Sequence, residues 1–217
     1  MSAANRQTPA DPEKRDAIVE QAIRTFAECG YRDTDVQVVA DRAGVGKGTV
    51  YRYFSNKEDL FWSTCYEVLA RMERSIFAAA DKVEGAYAKL RAAALAHARF
   101  FEDHPDYLEL TLQERAEFRG LGPQSHRQYH EKLIARMAEI LQHGIDSGEL
   151  RPVDPRQTTL AVGCLVFGAA FLTGFLPSMG IGPMSEYAVD IFLRGLCKQP
   201  ACSAGGTLSS CESGDGT

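Results

Sequence analysis

The sequence predicts an all-α protein: a small N-terminal three-helix unit with the spacing of a helix-turn-helix, and a larger C-terminal helical domain. Three observations carry this. Apolar residues recur at i, i+3 and i+4 over most of the chain. Prolines stand at or near the starts of these periodic segments, where their missing N–H costs little, and glycines follow their ends. No segment of useful length alternates with the period of a strand.

The 217 residues, 45% hydrophobic and 24% charged, leave room for one large or two small domains with a real core. In chain order, residues 1–12 are polar and expected to be disordered. A first helix is predicted from about Pro12 to Cys29, with Ile18, Ala22 and Phe26 on its inner side and Gly30 at its end. Asp35 caps a second, short helix whose inner face is Val36, Val39, Ala40 and Ala43. Gly44 follows where a left-handed turn needs a residue without Cβ, and Val45 plugs that turn. A third helix starts near Gly46 or Lys47, turns Val50 and Phe54 inward, and presents Lys47, Thr49, Arg52 and Tyr53 with Tyr51 at the flank. This is the spacing of a helix-turn-helix, which places its second helix in the major groove of DNA.

Local charge points to the same partner. From Arg42 to Lys57 the chain carries Arg42, Lys47, Arg52 and Lys57 and no carboxylate, against a net charge of -5 overall. A DNA footprint is therefore a local patch, and the acidity elsewhere limits non-specific binding. Gly48 allows close backbone approach, and the hydroxyls of Thr49, Tyr51 and Tyr53 add neutral donors. The alternative is an ordinary helical hairpin whose charges form a solvated face.

The run Gly30-Tyr31, Val39-Ala40, Ala43-Gly44-Val45-Gly46-Lys47-Gly48-Thr49-Val50-Tyr51-Arg52-Tyr53-Phe54 and Asn56-Lys57-Glu58-Asp59-Leu60 resembles the DNA-binding domain of the TetR family of one-component, ligand-controlled transcription regulators. The likeness covers roughly Lys14 to Leu60. It implies that Lys47, Gly48, Thr49, Tyr51, Arg52, Tyr53 and Lys57 meet DNA; with Gln37 they make the predicted DNA-binding set. One departure stands out: Gly46 occupies the place where the family usually has a serine that caps the recognition helix and touches a phosphate. Glycine caps nearly as well, so the helix survives while that contact is lost.

The helix-turn-helix domain is assigned to residues 13–56 and the second domain to 57–197. A fourth helix begins at Ser55 or Asn56, either of which can cap it, and runs to about Ala80 with Leu60, Phe61, Val68, Leu69, Met72 and Ile76 inward. It is read as the mechanical link between the domains. Further helices are predicted from Gly85 to Asp103, Pro105 to Phe118, Pro123 to Ser147, Asp154 to Leu176 and Met184 to Cys197. The segment Leu160 to Leu176 is almost continuously apolar and is read as a helix buried on all sides rather than a membrane span. The resemblance implies a homodimer in which residues 160–176 and 184–196 form a four-helix bundle with their counterparts. Residues 198–217, rich in Ser, Gly and Cys, are expected to be disordered.

Aromatic and polar positions in the second domain are candidate ligand contacts: Trp62, Tyr66, His97, Phe101, Tyr107, Leu110, Glu114, Tyr129, Met137 and Phe167. Most aromatic positions there are expected to be plain core. A small apolar or aromatic effector is expected, with Glu114 or His97 as polar anchor. His126 and His130, at i and i+4, have the spacing to share a metal but no third ligand near in sequence, and are read as surface histidines. Cys29, Cys65 and Cys164 are read as reduced thiols within helices or at their ends, consistent with a cytoplasmic location. Cys197, Cys202 and Cys211 lack metal-type spacing. No cofactor, metal or catalytic residue is expected, since no P-loop, nucleophile elbow or carboxylate–histidine pattern occurs. The function expected is a ligand-responsive regulator, more often a repressor in this family, on a near-palindromic operator. The alternatives are a DNA-binding dimer without a small-molecule ligand and a metal-dependent helical-bundle enzyme.

Overall fold

The computed structural model describes residues 11–120, 122–173, 175–176 and 180–197. The expected disorder of both termini, Cys202 and Cys211 therefore fall, Asp11 and Pro12 apart, outside the described residues. Among the described residues nine helices follow one another and no strand forms; one isolated bridge pairs Leu150 with Cys197.

Helix α1 spans Pro12–Asp33, capped by Asp11, whose side chain accepts from the Glu13 amide. It runs four residues past the predicted end. Gly30 adopts φ 80°, which breaks the helical path, and a final turn resumes beyond it, held by the Thr34 hydroxyl donating to the Gly30 carbonyl at 2.6 Å. Helix α2, Val36–Arg42, starts on the Asp35 cap. It ends in a Schellman motif: the Val45 amide reaches back to the Ala40 carbonyl and Gly44 takes φ 66°. Helix α3, Lys47–Tyr53, has Gly46 as N-cap and no side-chain cap bond. Ile18, Ala22, Phe26, Val39, Val50 and Phe54 are buried together and form the core of this first unit.

Helix α4, Lys57–Ala80, is capped by Asn56 rather than Ser55. Asn56 accepts from the Asp59 amide, and the Asp59 carboxylate accepts in return from the Ser55 amide, both at 2.8 Å. The rest are α5 (Ala86–Asp103), α6 (Pro105–Phe118), α7 (Gln124–Asp146), α8 (Pro155–Thr173) and α9 (Ile181–Arg194). Long-range polar contacts hold their starts and faces. The Glu149 carboxylate accepts from the amides of Ala86 and Tyr87 at the start of α5, and Arg91 ties α5 to Glu186 and Asp190 of α9.

The expected role of α4 as the link needs an addition. Helix α6 docks directly on α1, and an aromatic cluster of Phe26, Tyr31, Phe61 and Phe118 joins α1, α4 and α6. Arg71 of α4 donates to Glu20 of α1, Glu67 of its own helix and Tyr107 of α6. Arg32 pairs with Glu117 across α1 and α6 at 2.8 Å, and Gln113 donates to the Ala27 carbonyl.

Helix α8 corrects the expectation of burial on all sides. It has the length and apolar character to cross a bilayer by composition alone, yet it packs one side, with Thr158, Val166, Ala169 and Ala170, against α5, α7 and α9. The other side leaves Leu160, Cys164, Phe171 and Leu172 exposed, and Tyr187 and Ile191 of α9 are exposed too.

Candidate nucleic-acid interface and effector cavity

The recognition helix buries Val50 and leaves Gly48, Tyr51 and Arg52 exposed, with Lys47, Thr49 and Tyr53 half-buried. Arg52 makes no hydrogen bond or ion pair among the described residues. The other cations are already engaged. Lys47 Nζ lies 2.9 Å from the Asp35 cap carboxylate; the Gln37 amide first, and then Lys47, hold that carboxyl below its ordinary range, and Asp35 holds the ammonium above its own. Lys57 Nζ donates to the Arg32 carbonyl at 2.8 Å and sits over the Tyr31 ring. Arg42 pairs with Glu28 at 2.7 Å. Gln37 bonds Asp41, and the Tyr53 hydroxyl accepts from the Asp11 amide. All eight predicted DNA contacts thus lie on α2, α3 and the first turn of α4.

Helices α4 to α8 line, with α9, a cavity of about 720 Å³ that opens at the surface beside α8 and whose walls are mostly aliphatic. Of the ten predicted ligand contacts, His97, Phe101, Leu110, Glu114, Met137 and Phe167 line it. The other four do not, and each is held elsewhere. Trp62 is buried against Phe118 and His126, and Tyr66 bonds Ser125. Tyr107 is buried against Phe100 and takes the Arg71 hydrogen bond; Tyr129 bonds Glu73. A stripe along α4, Val68, Leu69, Met72 and Ile76, supplies wall that the sequence reading assigned to core.

The polar groups of the cavity are unusual for their surroundings. Burial pushes the Glu114 carboxyl up to about 7, with the Cys65 thiol pulling weakly the other way. Burial lowers His97 to about 4. Burial, and then the neighbouring His130, lower His126 to about 4. No Lys or Arg lines the cavity among the described residues.

The reading of His126 as a surface histidine is corrected: it is 3% exposed. Its Nδ1 lies 3.5 Å from Glu114 Oε1, and its ring meets that of His130 edge-on at 4.8 Å. The third partner comes from α6, which spacing along α7 cannot disclose. Of the cysteines within helices, only Cys65 is buried; Cys29 and Cys164 are exposed.

A helix-turn-helix with a locally basic face, joined to a helical domain around an apolar cavity, defines a transcription regulator that is not an enzyme. Residues 18–63 match the family described as "Bacterial regulatory proteins, tetR family", and residues 84–169 match "Tetracyclin repressor-like, C-terminal domain". The chain belongs to the TetR family. It is 32% identical over 141 residues to the fatty acid metabolism regulator protein of Bacillus subtilis, covering 62% of this chain and 69% of that one. To the HTH-type regulator YhgD of the same organism it is 29% identical over 151 residues, covering 69% and 78%. The crystal structure of FadR from Bacillus subtilis in complex with stearoyl-CoA has the same fold, with a TM-score of 0.72 at 22% identity over 83% of this chain and 98% of that one.

Proposed function

We propose that this chain is a cytoplasmic repressor that binds a near-palindromic operator as a homodimer through α2, α3 and Lys57, and leaves it when a small apolar molecule fills the cavity. The observation that carries the proposal is the shared wall. Leu110, Thr111 and Glu114 of α6 face the cavity, while Gln113 and Glu117 of the same helix bond α1 of the DNA-binding unit. A ligand that prefers a shifted α6 therefore biases the placement of α1 and of the recognition helix packed on it. A ligand with equal affinity for both placements changes nothing.

The apolar walls fit a hydrocarbon chain or an aromatic body. FadR, which shares the fold, holds stearoyl-CoA, so long-chain acyl-CoA thioesters head the ligands to test, followed by aromatic acids. The experiment is fluorescence anisotropy of the full chain on DNA from its own upstream region, with and without each ligand. The expected result is sequence-selective binding that weakens at least about tenfold at saturating ligand, a coupling of roughly 1.4 kcal/mol. Compounds shown by calorimetry to fill the cavity, yet leaving operator affinity unchanged, would support the DNA-binding dimer without an effector instead.

A further inference from the structure

We propose that Glu114, His126 and His130 form a binding site for a zinc-class divalent cation in the cavity wall, with one coordination position left open to the cavity. Sequence spacing offers only the His126–His130 pair; the third ligand, Glu114, comes from the fold, and the family matches name no metal. The site stands whether or not the cavity also takes an effector.

The geometry supports it at three levels. The donor set is one carboxylate and two imidazoles, which suits zinc, cobalt or nickel and leaves a tetrahedral ion one free position. One donor atom from each residue lies within 4.8 Å of the other two. Donors about 2.0–2.2 Å from a zinc ion stand roughly 3.5 Å apart around it. The Glu114 to His126 separation of 3.5 Å already meets that, and His130, exposed and on the next turn of α7, is free to close the remainder.

The orientation is also prepared. His126 is wedged between the rings of Trp62, Tyr66 and His130, with centroids 5.2, 5.1 and 4.8 Å away. These neighbours lock its rotamer before any ion arrives. No hydrogen bond satisfies the His126 ring among the described residues: the Glu114 carboxylate, at 3.5 Å, is at the outer limit for such a bond. Finally, the three residues all line the cavity, where no other charged side chain does among the described residues. A dication there would place a positive charge beside the carboxylate of a largely apolar wall. An oxyanion from water or from a bound acid can then take the open position.

The test uses the full chain, stripped of metal with EDTA and desalted. Zinc chloride is titrated calorimetrically and cobalt chloride is followed by visible absorption. The expected result is one ion per chain, a raised Tm, and cobalt bands of a four-coordinate site without sulfur-to-metal charge transfer. His130→Ala removes an exposed ring and leaves the buried packing in place; Glu114→Gln keeps the side-chain volume. Each is expected to weaken zinc binding at least about tenfold and to abolish the cobalt bands, while His143→Ala, on an exposed site of α7, keeps both. Metal-free operator binding, unchanged in the variants, confirms that they fold. Absence of stoichiometric zinc and cobalt binding, or binding that survives both substitutions, overturns the proposal. Survival with charge-transfer bands would place the ion on cysteines, which both variants retain.

Discussion

Gly46 and Gly48 face open space, since an added Cβ at either meets no heavy atom within 4 Å. Nothing inside the free protein requires glycine there. Gly48→Ala should therefore leave the fold intact and even stabilise it, by up to about 0.5–1 kcal/mol, while operator affinity falls because the methyl group intrudes on the DNA. Chemical denaturation and anisotropy together check this; unchanged affinity would mean that the backbone makes no close approach at that point. Gly46→Ser should raise Tm by supplying the missing cap and tighten operator binding by one hydroxyl contact. Arg52, exposed and without a partner among the described residues, is the proposed base contact, and Arg52→Ala should relax preference at particular base pairs by about 1–3 kcal/mol. Base preferences that persist in a binding selection would exclude it from readout. His97 gives a different residue-scale outcome. Its folded pKa of about 4 lies below the unfolded value near 6.5, so the unfolded chain binds more protons between them. Stability is then fully present above about pH 6.5 and lost as pH falls through the folded value, by up to about 3 kcal/mol. His97→Leu should flatten that acid limb in urea titrations at pH 7 and pH 5; equal acid losses would assign the limb to other groups.

At the scale of elements, the sequence disclosed helix starts far better than it disclosed cavity walls. Asp35, Pro105 and Asp154-Pro155 announce helices because a cap or a missing N–H is a local property. The end of α1 was misplaced because Gly30 bends the chain without ending it, and the chain past the bend is held by Thr34, a side chain outside the helix. The stripe Val68, Leu69, Met72 and Ile76 was legible as apolar, but periodicity is the same for a core face and for a cavity wall. Glu114 beside His126 was not legible as a pair, since it depends on how α6 lies against α7. One element-scale prediction concerns α7 and α5. A Cβ at Gly144 would overlap Ala86 and Leu150 of neighbouring segments. Gly144→Ala should cost about 1–3 kcal/mol by overpacking, read as a lower urea midpoint. A second concerns the proposed link: Arg71→Leu removes the bonds to Glu20, Glu67 and Tyr107 and should shrink the effect of ligand on operator affinity while ligand still binds. An undiminished effect would shift the coupling to the Arg32–Glu117 and aromatic contacts.

Across the molecule, the two lysines of the proposed DNA-facing surface are already engaged. Lys47 and Lys57 have partners at 2.9 and 2.8 Å, so meeting a phosphate means exchanging one contact for another. Lys57→Ala should still make the salt dependence of operator binding shallower by about one unit; identical slopes would remove it from the phosphate contacts. The proposed pairing of two chains is tested by Ile191→Asp, which sets a charge into the exposed apolar strip of α8 and α9. Light scattering should then report monomers, with operator affinity reduced to that of a single half-site, whereas a persistent dimer would move the interface elsewhere.

The exposed apolar positions outside the cavity, Leu172, Tyr187 and Ile191, have a consequence for the cell as well as for the fold. If two chains must meet through them before either grips DNA firmly, occupancy of a rare operator rises with the square of the amount of free chain. The regulator would then act on a threshold of its own abundance. Halving its synthesis, or a single round of dilution by growth, would cut promoter coverage about fourfold at low abundance, and a gene controlled this way could escape with no effector present.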